Sequence, residues 1–318
     1  MQELEKGRRE EALEAAAYFV EEARVIFGIY NQWLPSIRKC LADKGLTAEA
    51  LAREEARLTD LIVLRYPHFS SDRGQAWQFI EQDLELLRTS GDEQATAILA
   101  RLRDKWRELH DSDVDYIAGL MDVVIRHFGE EAIGEMYEGW VIGDWFEKRY
   151  AKFDTAKHSW AEIFEELVFL SFESMHAHLA GPNRDGSVDF EEFADRVTLR
   201  FHPCGSGGRT VGGDPLTGRA PLMEPPFDFG VLERPHDFAW NTAGICAYCA
   251  HCCVILEKLP MEHFGYPVRV VEPPVHGSGK PAVCSWTIYR DPRDVPAEVY
   301  ERLGKRKPSS ASPLGSSK

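Results

Sequence analysis

The chain reads as an α+β protein, with a helical N-terminal part followed by an α/β sandwich-like C-terminal domain. Three observations predict this. Apolar residues recur at three- and four-residue intervals through most of residues 1–180. Past Gly181 the pattern changes to polar–apolar alternation, the period of strands. A Gly- and Pro-rich connection, Gly205 to Pro235, then separates those strands from a short cysteine-rich segment. The organisation expected is a helical region over 1–180, an α+β domain over 181–304, and a disordered Ser-, Pro- and Lys-rich tail over 305–318.

Taking the elements in order, Ala17, Val20, Ala23, Phe27 and Tyr30 form an apolar stripe, and residues 2–58 read as helix punctuated at Gly45. The stretch from Tyr66 to Gly74 reads as a loop. Two helices follow over 75–110, broken at Ser90-Gly-Asp92, and Asp111 or Ser112 is expected to cap the next one, to Phe128. Residues 130–150 and 160–179 continue the helical pattern, with Glu, Arg and Ala on the polar faces. Ser187–Phe190 and Arg196–Phe201 read as strands, as do Tyr266–Glu272 and Ala282–Tyr289. Asn241 or Thr242 is expected to open a helix carrying the cysteines to Leu259, and Pro296–Gly304 reads as a last short helix.

Composition narrows the function. In 318 residues, 44% are hydrophobic and 11% aromatic, enough for a sizeable core. Lys and Arg number 37 against 52 Asp and Glu, a net charge of −15, which repels phosphate backbones and argues against nucleic acid. No run has the roughly 18–20 apolar residues that cross a bilayer, and the N-terminus has no apolar signal region, so a cytoplasmic protein with no membrane partner is expected. The cysteines are clustered and odd in number, which suits free thiols or metal ligands better than disulfides.

Two strings carry the chemistry. In Gly244-Ile-Cys-Ala-Tyr-Cys-Ala-His-Cys-Cys-Val254, four thiols surround His251. On a helix, Cys246, Cys249 and Cys253 would fall within roughly 60° of one another, a face that could bind zinc or iron. The same face could equally be packed against a sheet, because cysteine is small and commonly buried. In His202-Pro-Cys-Gly-Ser-Gly-Gly-Arg209, the glycines Gly205, Gly207 and Gly208 let the backbone form an anion nest, and Arg209 could clamp a carboxylate or phosphate. Cys204 is the candidate nucleophile, with His202 as its base. A flexible turn is the plain alternative. Gly181–Glu192 partly fits a calcium loop, and Glu173-x-x-His176 is half of a di-iron pattern.

The order Cys249…Glu257…Gly265-Tyr-Pro-Val-Arg-Val-Val-Glu272…Gly279…Val283-Cys284-Ser-Trp-Thr-Ile288 resembles the second half of a 4-vinyl reductase domain. That fold group includes the L-2-amino-thiazoline-4-carboxylic acid hydrolase-like proteins, which also carry helical N-terminal extensions. The resemblance implies a zinc held by Cys249, Glu272 and Cys284; its fourth ligand position falls near Val275, beside His276. It also implies C–N or C–S hydrolysis as the nearest reaction class. The reading that follows is a metal-dependent enzyme, zinc or iron bearing, that acts on a small polar or carboxylate-bearing molecule. A small-molecule sensory domain with structural zinc and a helical interaction scaffold remain open, as does a homodimer.

Overall fold

A computed structural model describes residues 6–70 and 72–309. It is an α+β protein with a helical N-terminal part and a small antiparallel sheet in the C-terminal part. Helices α1 (Arg9–Asp43), α2 (Ala48–Arg65), α3 (Arg73–Thr89) and α4 (Asp92–Phe128) form the first layer. Thr47 and Asp72 cap α2 and α3 with side-chain oxygens. Next come α5 (Glu131–Met136), a π-helical segment (Tyr137–Ile142), α6 (Gly143–Tyr150) and α7 (Trp160–Ala177). Ser159 and Glu162 close a capping box at the start of α7.

The sheet has the order β1–β2–β6–β5, all antiparallel, from β1 (Asp189–Glu192), β2 (Arg196–Phe201), β5 (Val270–Glu272) and β6 (Cys284–Tyr289). Alternation along β6 buries Cys284, Trp286 and Ile288, with Phe201 opposite Cys284 and Val271 opposite Trp286. Between β2 and β5 lie α8 (Gly207–Gly212), the bridge pair β3 (Val231–Leu232) and β4 (Ile245–Cys246), α9 (Ala250–Cys253), a π-helical segment (Val254–Lys258) and α10 (Leu259–Phe264). Helix α11 (Ala297–Glu301) ends the described fold.

The change of texture near Gly181 falls between α7 and β1, yet one hydrophobic core crosses it. Trp33 of α1 sits 6.1 Å from the Tyr248 ring and 5.2 Å from His251. Tyr137 donates to the Ala247 carbonyl at 2.9 Å. No helix among the described residues is long and apolar enough to cross a membrane.

Three sequence expectations are corrected. Helix α4 runs unbroken through Asp111 and Ser112, which lie inside it rather than at a cap. The cysteine segment is not one helix from Asn241: Cys246 belongs to β4 and Cys249 directly precedes α9. The three sulfurs therefore do not share a helical face. The first long helix starts at Arg9 and stops at Asp43; residues 2–5 and the expected tail beyond Ser309 lie outside the described residues.

Candidate functional site

The middle of α4 reads His110-Asp-Ser-Asp-Val-Asp115, and every one of these residues is buried. Buried carboxylates need partners, and arginines from elsewhere supply them. Arg184 makes a two-pronged contact with Asp111 (2.8 and 3.1 Å) and reaches Asp214 at 2.7 Å. Arg209 reaches Asp115 at 2.5 Å and donates from Nε to the Gly205 carbonyl at 3.1 Å. Tyr66 donates to Asp115 at 2.8 Å, Arg65 lies 3.1 Å from the same carboxylate, and Arg73 pairs with Asp113. Burial pushes the Asp111 carboxyl up, but Arg209 and Arg184 outweigh it and hold that carboxyl well below the usual carboxylate range.

From this cluster a polar chain leads to a cavity. Asp111 is ionised, so His110 donates to it through Nδ1–H at 2.8 Å. His110 Nε2 then carries the lone pair and accepts from His178 Nδ1–H, also at 2.8 Å. That leaves His178 Nε2 as a proton acceptor. Burial and the neighbouring His110 push the His178 pKa well below the ordinary imidazole value, so the ring is neutral near pH 7. The Tyr30 hydroxyl lies 3.4 Å from His110 Nε2 and 3.5 Å from His178 Nδ1, and hydrogen-bonds the Tyr248 hydroxyl at 3.0 Å. Tyr248 in turn bonds Ser206, whose hydroxyl is 3.7 Å from Cys204 Sγ.

The cavity, about 710 Å³, lies between the two parts of the molecule. Trp33, Tyr150, Phe153, Trp240 and Trp286 give it an aromatic wall. Cys204, Cys249, Cys252 and Cys284 all open onto it, with His178 and His251. The Gly208 N–H, near the start of α8, donates to Cys204 Sγ at 3.1 Å. His251 donates from Nδ1 to the Tyr248 carbonyl at 2.5 Å, so its Nε2 accepts the Cys252 thiol at 3.3 Å. Burial lowers the His251 pKa to about 4 and pushes the Cys252 thiol well above its usual value.

One buried charge in the wall lacks an ion-pair partner among the described residues. Arg269 is only 6% exposed, donates to Ser171 Oγ (2.7 Å) and the Leu167 carbonyl (3.0 Å), and lies 5.2 Å over the Trp286 ring. Among the described residues no carboxylate comes within ion-pair distance of it, in contrast to Arg184 and Arg209. Burial depresses its pKa from the usual arginine value, although an arginine remains charged.

The sequence-predicted residues divide sharply. Cys204, Gly207, Gly208, Cys249 and Cys284 line the cavity. Arg209 does not: it is fully buried and neutralised by Asp111 and Asp115, so the expected exposed anion clamp is instead a structural cation. His202 is turned outward, 3.1 Å from Asp189 across the sheet edge, and is not in the cavity wall beside Cys204. Gly205 serves close packing, since a Cβ there would stand 1.6 Å from the His178 carbonyl oxygen. At Gly207 a Cβ would stand 2.5 Å from Cys249 Sγ.

Of the implied metal ligands, Cys249 and Cys284 reach the cavity, whereas Glu272 is exposed and paired with Arg302 at 3.0 Å, and His276 is exposed. Cys246 lies behind the wall, 3.4 Å from Thr210 Oγ1, and Cys253 accepts from the Trp240 N–H at 3.4 Å. Among the described residues no group of three or more His, Cys, Asp or Glu side chains is placed to hold a metal ion. The implied donor set does not fit, and no step below is routed through a metal. Elsewhere, His176 pairs with Glu22 at 2.5 Å, and Arg184 of the calcium-like loop is committed to Asp111 and Asp214.

His110, Arg269 and the three buried aspartates were missed by reading the sequence. The signal available was Asp111, Asp113 and Asp115 at the head of a stretch that is then apolar from Tyr116 to Met121. Compared with protein-family models, curated proteins and solved structures, the chain has no match.

Proposed function

We propose that this protein is an enzyme that binds a small carboxylate-bearing molecule with an apolar body and breaks a carbon–nitrogen or carbon–sulfur bond in it, with Cys204 as nucleophile. The observation that carries this reading is Arg269, a buried cation without a carboxylate partner, set in an aromatic cavity lined by thiols and neutral imidazoles. A charge so placed is costly unless an anion joins it. Arg269 would seat the carboxylate and the aromatic wall would hold the apolar body.

In the reaction, Cys204 Sγ bonds the electrophilic carbon, favoured as thiolate by the Gly208 N–H. Its proton is taken up at His178 Nε2, the ring nitrogen left as acceptor, and passes from there to the departing nitrogen or sulfur. Water, deprotonated by His178, breaks the Sγ–carbon bond and returns the thiol. Asp111 and His110 are positioning residues, which fix the His178 tautomer. The resemblance to thiazoline-carboxylate hydrolase-like proteins supports the same reaction class by analogy. A second reading places the attack at Cys252, because its thiol already bonds His251 Nε2 at 3.3 Å.

Alkylation rates test both. With rates scaled to free cysteine, iodoacetate should label Cys204 faster than iodoacetamide does, and Arg269→Met should remove the preference. Label on Cys252 instead would favour the second reading. Equal scaled rates in the native protein would overturn the anion site.

A further inference from the structure

Cys246-Ala-Tyr-Cys249 is a C-x-x-C pair whose two sulfurs occupy different environments. Cys249 opens onto the cavity, whereas Cys246 is 1% exposed, on β4 behind the wall. The chain turns between them so that the two sulfurs lie close enough to influence each other. Thr210 Oγ1 approaches Cys246 Sγ at 3.4 Å, and Gly207 leaves open the space beside Cys249 Sγ. All seven cysteines are free thiols.

We propose that Cys246 and Cys249 form a redox pair that reduces small disulfides admitted to the cavity. A sulfur that lines a cavity, although only 6% exposed, with a fully buried partner behind it has the arrangement that thiol–disulfide exchange requires, one thiol to attack and one to resolve. Cys249 Sγ attacks a disulfide R–S–S–R′, giving its proton to the departing R′–S⁻, and forms the mixed disulfide Cys249–S–S–R. Cys246 thiolate then attacks Cys249 Sγ, forming the Cys246–Cys249 disulfide and releasing R–S⁻. The two thiol protons go to the two departing thiolates. The small molecule gains two electrons and the protein pair loses two. Closure needs the sulfurs to move from contact to about 2.05 Å, a motion that a two-residue spacer permits. The inference uses the cavity but not the hydrolytic chemistry at Cys204.

Hydroxyethyl disulfide, small and uncharged, is the probe. The reduced full-length protein is treated with it without oxygen, quenched, alkylated and mapped by peptide mass spectrometry. The expected result is the loss of two alkylatable thiols per chain, with a Cys246–Cys249 cross-link and two equivalents of mercaptoethanol released. Cys246→Ser should stop at a mixed disulfide on Cys249, and Cys249→Ser should leave Cys246 unmodified. Cys246→Ala serves if the serine variant misfolds by circular dichroism. Adducts confined to Cys204 or Cys252, or a Cys246→Ser variant with no adduct on Cys249, would overturn the proposal. So would stoichiometric zinc in the purified protein that Cys246→Ser abolishes. Loss of the iodoacetate preference at Cys204 bears only on the hydrolytic reading.

Discussion

The ion cluster on α4 and the neighbouring cavity are both buried and both polar, and Asp111 stands at the boundary between them. In the cluster, Arg184 and Arg209 each face carboxylates, and their remaining donors reach the Leu179, Gly205 and Asp111 carbonyls. In the cavity, Arg269 donates to a hydroxyl and a carbonyl and lies over a tryptophan ring, with no carboxylate at ion-pair distance among the described residues. A saturated buried charge holds elements together; an unsaturated one is available to something that arrives. Residue type alone does not separate the two roles, since both centres are arginines at full or nearly full burial.

The strongest way to break this contrast is Arg209→Ala. It removes one of the two arginines that face each of Asp111 and Asp115, leaving Arg184 and Arg65, and the expected loss is about 3–5 kcal/mol by urea denaturation. A loss below about 1 kcal/mol would mean that the cluster is not structural. Gly205→Ala should cost about 1–3 kcal/mol or more, because the new methyl meets the His178 backbone rather than a movable side chain. Arg269→Met should sharpen the comparison from the other side. It should weaken binding of small carboxylates about 10–100-fold by calorimetry, matching a charged hydrogen bond of roughly 1.5–3 kcal/mol, while destabilising the fold less than Arg209→Ala.

Acid should act through the cavity histidines. His178 and His251 have folded pKa values below that of a free imidazole, so below about pH 6.5 the unfolded chain binds more protons than the native one. Their contribution is complete above that pH and is lost as the pH falls toward the folded values, about 4 for His251. Each ring should add a slope of up to about 1.4 kcal/mol per pH unit, and His178→Gln should flatten the acid limb. The smallest effects belong to Glu272→Gln and His276→Ala. Both side chains are exposed, and stability should stay within about 0.5 kcal/mol of the parent by the same urea measurement.

Much of the fold was legible because periodicity survives in the sequence. The helix break at Gly91 and strands β2 and β6 fall where the pattern places them. The segment from Asn241 to Leu259 misled because small, commonly buried residues such as Cys and Ala fit strand, turn and helix alike. At the site, Cys204 and Cys249 were found because thiols and glycines are conspicuous. Arg209 was misplaced because a glycine-rich string suggests exposure, and only the distant Asp111 and Asp115 reveal that it is buried. Arg269 was invisible for the same reason: its place is set by a residue 98 positions away in the chain.

The unbroken helix α4 also has a consequence for how the chain is made. Asp113 and Asp115 find Arg73 and Arg65 upstream, but Asp111 leaves the ribosome well before Arg184 and Arg209, the arginines that face it. Until those arginines emerge, that stretch of helix carries an uncompensated negative charge on a face destined for the interior. The N-terminal helices therefore cannot settle fully as a vectorial intermediate, and a fragment cut near Gly181 would expose an apolar face interrupted by the unneutralised Asp111 carboxylate. Such a fragment should need a chaperone or aggregate, whereas the intact chain closes the gap as soon as the strand after α7 and the glycine string behind it have been synthesised.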